Sequence, residues 1–343
     1  MRAHLRTVVV VGLAAALVAW FLRHADLSSV WGELRRGDPG LLLLALATTL
    51  TTYATRSLRW QYLLRGIGPT HFATAFRTTV IGFAVSFLLP ARAGELVRPY
   101  LLAREEGLRF TATFATVILE RVLDLVTVLI LFSAYLLVAE PGAEQASPAM
   151  FRAVKLGGVA AAVAASAVLA VFFFLAGRPE ALGRAALRVE RVLPVRLARL
   201  VARLAQTFAE GLAAVRNPQH LAMVLLWSFP LWLSIALGIW LGSRAFHIPI
   251  SFPASFLIMT VLVVGVAVPT PGAVGGYHEA YRFTVTTFFH APNDRAVGAA
   301  LILHAISFVP VTLLGIVFMA REGLTLGRVR VLAREAGTEE DER

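Results

Sequence analysis

Three clusters of ionisable residues stand inside otherwise apolar stretches of this chain. The first is Pro90-Ala-Arg92-Ala-Gly94-Glu95-Leu-Val-Arg98-Pro99. Glu95 lies three residues from both Arg92 and Arg98, so a helical turn lets it pair with either. Two guanidiniums held by one carboxylate can grip a phosphate bidentately; the same residues also suit a self-neutralised structural turn. Pro90 ends a preceding helix, and Gly94 permits a bend that a side chain would block. The second cluster is Glu120-Arg121-Val-Leu-Asp124. Its acids sit one helical turn apart on one face. If Arg121 neutralises only one of them, the other is available for proton exchange; otherwise the pair Arg121–Asp124 is a helix lock.

The third cluster is Pro269-Thr-Pro271-Gly272-Ala-Val-Gly275-Gly276-Tyr277-His278-Glu279-Ala-Tyr-Arg282. Its prolines and glycines exclude a continuous helix, and a helix starting near Tyr277 would turn free N–H groups toward an anion. His278 and Glu279 form a candidate acid–base pair. Zinc spacing of the HExxH type fails, because Arg282 stands where the second histidine is required. No metal site and no cofactor is expected. Arg56, Arg59 and Trp60 close an apolar segment; they read as anchors at the membrane face or as further contacts to a substrate. His304 reads as a hydrogen-bonded core histidine.

The elements that carry these clusters are membrane spans. Of the 343 residues, 58% are hydrophobic and 15% charged, with a mean hydropathy of +0.73; soluble domains carry about 25% charge. Apolar segments cover 7–22, 41–55, 73–90, 111–139, 157–176, 221–241, 252–269 and 296–320. Several reach the ~17–25 residues that cross a bilayer. There is no cysteine, which excludes disulfides and thiolate chemistry. No GxxxxGK[ST] loop exists, so ATP hydrolysis by that route is excluded. The net charge of +11 comes from arginine almost alone, with Lys155 the single lysine. Because the arginines lie between apolar spans, anionic inner-leaflet lipid is their partner rather than nucleic acid. The N-terminus has a basic start and an apolar run but no small-x-small cleavage signal, and reads as the first span.

Charge parity sets the topology. If every segment crosses once from a cytoplasmic N-terminus, the stretch 178–218, with eight arginines against three glutamates, is stranded outside. That violates the positive-inside bias. The violation disappears if 73–90 and 252–269 each turn back on themselves. The expected fold is therefore an all-α polytopic membrane protein, a single transmembrane domain over 1–343. It has six full spans and two opposed re-entrant helical hairpins, arranged as an inverted repeat of 5–139 and 157–320. Hairpin turns fall at Pro90 and Gly94, and at Pro269, Pro271, Gly272, Gly275 and Gly276. Residues 178–216 form a cytoplasmic amphipathic linker that lies on anionic lipid, and 321–343 a cytoplasmic tail. Opposed hairpins meeting near the midplane are a transporter's way of building a substrate site. An intramembrane transferase or hydrolase using Glu95 or Glu279 as base and His278 as acid is the alternative, and a scaffold docking through 178–216 a third.

Taken together, Arg56-Ser-Leu-Arg59-Trp60, the P-x-R-x-G-E element at Pro90–Glu95, Glu120-Arg121-Val-Leu-Asp124 and Pro269-Thr-Pro271-Gly272 resemble the lysylphosphatidylglycerol synthase transmembrane-region family. That family includes the membrane half of the bacterial multiple peptide resistance factor. The resemblance runs over roughly residues 5–322. It implies a non-enzymatic flippase-like protein of the bacterial inner membrane, moving a lipid with a phosphate-bearing headgroup, a phospholipid or a polyprenyl-phosphate-linked lipid. Arg92, Glu95, Arg98, Arg56, Arg59, His278 and Glu279 would contact the substrate, and Glu120, Arg121 and Asp124 would form a coupling or structural ion network. The full resistance factor also carries a large soluble aminoacyl-transfer domain. Here 23 residues follow residue 320, basic over 321–334 and ending in the acidic Glu339-Glu340-Asp341-Glu342, so the chain is expected not to make the lysyl lipid and its cargo need not be that lipid.

The cysteine-free background makes the parity argument testable by accessibility labelling. A cysteine at Ala143 should react with an impermeant maleimide from outside, and one at Ala205 only from inside; the reverse pattern would overturn the topology.

Overall fold

The computed structural model describes residues 27–89, 92–138, 217–268 and 270–324, with short helical stretches between 152 and 167. The expected first span 7–22, the linker 178–216 and the tail beyond 324 lie outside the described residues, as does most of 157–176. Pro90 and Pro269 also lie outside them.

Every described element is a helix. They are α1 (Leu27–Arg36), α2 (Pro39–Leu64), α3 (Phe72–Leu88), α4 (Gly94–Glu106), α5 (Phe110–Val138), α6 (Pro218–Ala245), α7 (Ala254–Ala267), α8 (Gly276–Phe289) and α9 (Asn293–Arg321). Among the described residues, α2, α5, α6 and α9 are long and apolar enough to cross a membrane. At about 1.5 Å per residue their 26 to 29 residues exceed the hydrocarbon thickness. The legs of the two hairpins are shorter, 17 and 13 residues for α3 and α4 and 14 each for α7 and α8.

Local chemistry explains the boundaries. Asp38 caps α2, accepting from the N–H groups of Gly40 and Leu41, with Pro39 in the first turn. Asn217 caps α6 in the same way through Gln219 and His220, followed by Pro218. A side-chain acceptor before proline satisfies otherwise orphaned amides, and proline itself has no amide to orphan. Between α3 and α4 the chain reverses through Leu89, extended, and Arg92, which holds a left-handed φ of 51°. Between α7 and α8 it reverses through Gly272 (φ 60°), Ala273 (φ 56°) and Gly275 (φ 87°). The apolar segment ending at residue 55 continues as helix for nine more residues, to Leu64. That places Arg56, Arg59 and Trp60 inside the bundle, not at its edge. α1 is a short amphipathic helix, docked on α9 with Val30 buried and Glu33 3.2 Å from Arg295.

Packing follows a paired pattern. α2 and α6 run antiparallel along their whole length: the Asp38 N–H donates to the Ala245 carbonyl (3.0 Å), Thr52 meets Ser234 (2.7 Å), and His220 donates to the Tyr62 carbonyl (2.7 Å). α3 packs against α4 and α9, and α7 correspondingly against α8 and α5. α4 rests on α5 as α8 rests on α9. Within each hairpin the legs cross glycine on glycine. A Cβ on Gly94 would collide with the carbonyl of Gly82, and one on Gly276 with the carbonyl of Gly265.

Gly94→Ala and Gly276→Ala should each lower stability by about 1–3 kcal/mol, the usual cost of forcing atoms into a packed interface. Thermal unfolding in detergent measures it. Gly32→Ala, which meets nothing within 4 Å on α1, should leave the transition unchanged.

Candidate functional site

Glu120 and Asp124 stand one turn apart on α5, 0% and 5% exposed. Four guanidiniums from three helices converge on them. From α2, Arg56 lies 3.1 Å from Glu120 and 3.4 Å from Asp124, and Arg59 lies 3.3 and 2.7 Å from the same two acids. From α4, Arg98 Nη1 sits 3.2 Å from Glu120. Arg121 is 3.4 Å from each acid. Trp232 of α6 adds an indole N–H to Asp124 at 2.9 Å, and Arg59 donates to Ser228 at 2.8 Å. The Arg98 guanidinium lies 3.8 Å over the Trp60 ring, whose N–H is spent on Thr116 at 3.0 Å.

The premise that Arg121 alone neutralises this acid pair does not hold. Four arginines, which stay protonated in proteins, face two carboxylates. The surplus is positive. Buried arginine is costly in an apolar setting unless paired, and here one side of the surplus opens onto a cavity. Arg98, 2% exposed, finds no acceptor for Nε and Nη2 among the described residues.

The cavity has two chambers, of about 130 and 400 Å³, that share Phe83, Phe87, Arg92, Arg121 and Val266. The smaller is the more polar of the two, with Arg92, Glu95, Arg98, Arg121, Ser86 and Thr270 on its wall. The larger is mostly apolar; Arg56 and Asp124 reach it, as do Thr48, Thr52, Ser234 and Tyr277. Gly82 makes room for the Arg98 stem, since a Cβ there would strike the Arg98 Cβ. The Arg98 guanidinium turns to Glu120 rather than Glu95. Among the described residues Glu95 pairs with Arg92, loosely, at 3.8 Å.

Two carbonyls at the second helix break are satisfied by side chains from elsewhere, as backbone at membrane depth must be. Arg92 of the first hairpin donates to the carbonyl of Val266 in the second at 2.6 Å. His304 of α9 donates to the Gly272 carbonyl at 2.7 Å.

The structure brings Arg56, Arg92, Glu95 and Arg98 to the cavity and places Arg59 behind it, fully buried in the ion network. His278 and Glu279 line neither chamber. His278 accepts from the Gly275 N–H (3.3 Å) and packs 4.5 Å from His304, while Glu279 is held by Arg282 at 2.9 and 2.5 Å. Their helix faces α9 instead, and the second hairpin meets the cavity through Val266, Thr270, Ala273 and Tyr277. Trp232 and Ser228 were not anticipated. Each is a lone polar group in an apolar span, and nothing in its spacing marks it. Among the described residues no cluster of three metal-ligating side chains occurs.

A family model described as the lysylphosphatidylglycerol synthase TM region matches residues 7–315. Among curated proteins the chain is similar to the glycosyltransferase AglD of Haloferax volcanii, 25% identical over 320 residues, which is 86% of this chain and 50% of that protein. It is also similar to a UPF0104 membrane protein of Methanothermobacter thermautotrophicus, 33% identical over 97 residues covering 26% of this chain and 28% of the relative. A second UPF0104 membrane protein, from Methanocaldococcus jannaschii, is 26% identical over 106 residues, 30% of this chain and 32% of its own length. The matches span about half or less of these relatives.

Removing one member of the buried network should cost far more than removing an exposed arginine. Arg59→Gln is expected to destabilise by about 3–5 kcal/mol, read as a lowered unfolding temperature in detergent. Arg36→Gln, whose side chain is 76% exposed, should change it little.

Proposed function

From its membership of the lysylphosphatidylglycerol synthase TM region family, we propose that this multi-pass membrane protein moves a lipid with a phosphate-bearing headgroup between leaflets. The observation that carries the reading is the unbalanced charge at the cavity. Guanidiniums outnumber carboxylates in a chamber walled by two helix breaks, where Arg92, Arg98 and Arg121 stand with Glu95. A phosphate would balance that charge, in the geometry that arginine recognises best. The apolar second chamber suits the less polar part of an amphiphile.

The wider architecture in this proposal is six spans and two re-entrant hairpins in an inverted repeat, in the bacterial inner membrane with both termini cytoplasmic. Antiparallel α2 and α6 support the inversion, since they are the corresponding helices of the two halves and start with matching Asp-Pro and Asn-Pro caps. So do the matching glycine crossings and the corresponding helix contacts. With no phosphate-binding nucleotide loop, movement is downhill or ion-coupled rather than driven by ATP. The similarity to a protein named for glycosyl transfer supports keeping sugar-bearing and polyprenyl-linked lipids among the cargoes.

Purified protein in liposomes should accelerate transbilayer exchange of an acyl-labelled anionic lipid, followed by bleaching of the outer leaflet with dithionite. Arg92→Ala should lose the acceleration while the protein still folds, its unfolding temperature lowered only by the lost bond to Val266. Failure to accelerate any of several phospholipids and polyprenyl phosphates would sink the proposal.

A further inference from the structure

The larger chamber has a second recognition surface besides its arginines, and its assignment rests on the lipid-transport reading above. We infer that Thr48, Thr49 and Thr52 of α2 and Ser234 of α6 form a subsite for the headgroup substituent beyond the phosphate. The substituent it recognises is one that carries hydrogen-bond donors, hydroxyl or ammonium.

All four residues line the larger chamber. Their hydroxyl hydrogens are committed within the two helices. Thr48 and Thr49 donate to the Ala45 carbonyl, at 2.7 and 3.2 Å. Thr52 reaches the Thr48 carbonyl at 2.9 Å, Ser234 reaches the Leu231 carbonyl at 2.7 Å, and the two hydroxyls lie 2.7 Å apart. That pair has three hydrogen-bond positions for two hydrogens. A hydroxyl carries one hydrogen and two lone pairs, so once bonded back to its helix it offers a ligand lone pairs alone. The wall accepts and does not donate. It is also neutral, so hydroxyl and ammonium hydrogens both satisfy it. A substituent that ends in carbon-bound hydrogens gains no hydrogen bond there.

Position separates this wall from the arginines. Along α2, Thr52 lies one turn and Thr48 two turns from Arg56, about 6 and 12 Å at 1.5 Å per residue. A phosphate held by Arg92 and Arg121, which both chambers share, can send its substituent into the larger chamber along this wall. Gly238 of α6 keeps the far end open, since a Cβ there would lie 2.6 Å from the Thr48 oxygen. Of the other neutral polar groups, the Trp232 indole N–H is spent on Asp124 at 2.9 Å, and Tyr277 hydrogen-bonds Ser307. A site built to hydrogen-bond a substrate group selects against the analogue that lacks it.

The test uses the full chain in liposomes and two pairs of acyl-labelled lipids on identical acyl chains. Phosphatidylglycerol and phosphatidylpropanol share their charge and differ in hydroxyls. Phosphatidylethanolamine and phosphatidylcholine share their charge and differ in ammonium hydrogens. The donor-bearing member of a pair should exchange about tenfold faster, which one or two hydrogen bonds of ordinary strength produce. A gap in the first pair identifies hydroxyl donors and a gap in the second ammonium donors; either upholds the subsite. Equal rates within both pairs, or faster exchange of the donor-free members, overturn it and leave the transport reading intact. Thr48→Val combined with Thr49→Val should shrink the wild-type gap toward equal rates, and an unchanged gap overturns the assignment to this wall. If none of the four lipids moves, the transport reading fails for them, and the subsite is judged by native mass spectrometry of the protein incubated with each pair in equimolar amounts. Preferential retention of a donor-bearing lipid upholds it, and equal or reversed retention overturns it.

Discussion

The interaction on which this structure depends is the gathering of four guanidiniums around Glu120 and Asp124. Charges in a bilayer cost about 2.5–3.5 kcal/mol each on insertion scales, so a cluster of six persists only if its members satisfy one another. That requirement fixes the surrounding helices. α2 contributes Arg56 and Arg59, α4 contributes Arg98, α5 carries the acids, and α6 closes the cluster with Trp232 and Ser228. The cluster does for these helices what hydrophobic exclusion does in water. Apolar side chains gain little by leaving lipid for a bundle core, so polar links of defined geometry supply much of the specificity.

Around that anchor, the second helix break is tolerated because its carbonyls are answered across the fold. The donors come from distant residues, Arg92 for Val266 and His304 for Gly272. Arg92 holds a left-handed backbone without being glycine. Strain of that kind persists only where neighbouring structure enforces it, and it gathers at functional positions. Here the strained residue is also one of the five shared by both chambers.

Much of this was legible in the chain. Segments 111–139, 221–241 and 296–320 correspond to α5, α6 and α9 within a few residues, because long apolar runs dominate helix formation in lipid. The two reversals were marked by glycine and proline, and the acid pair by its one-turn spacing. What local pattern could not supply was the third dimension. Arg56 and Arg59 look like helix-end anchors until α2 is seen to continue to Leu64. Glu95 reads as a partner of Arg92 or Arg98, and only the packing of α4 on α5 brings Arg98 to Glu120, 22 residues away. His278 and Glu279 carry the right chemistry on a face that turns toward α9, which depends on how the hairpin packs.

The glycine crossings have a mechanical consequence. Where Gly82 meets Gly94, and Gly265 meets Gly276, the legs touch main chain to main chain with no rotamer between them. A pair of helices in such contact has little internal give, so each hairpin behaves as a stiff lever rather than a hinge. The tips of the two levers are tied by one bond, from the Arg92 guanidinium to the Val266 carbonyl. Parting them means giving up that bond and finding the guanidinium another acceptor. A lipid phosphate entering between the tips would be such an acceptor, so arrival of an anion and release of the latch become one event.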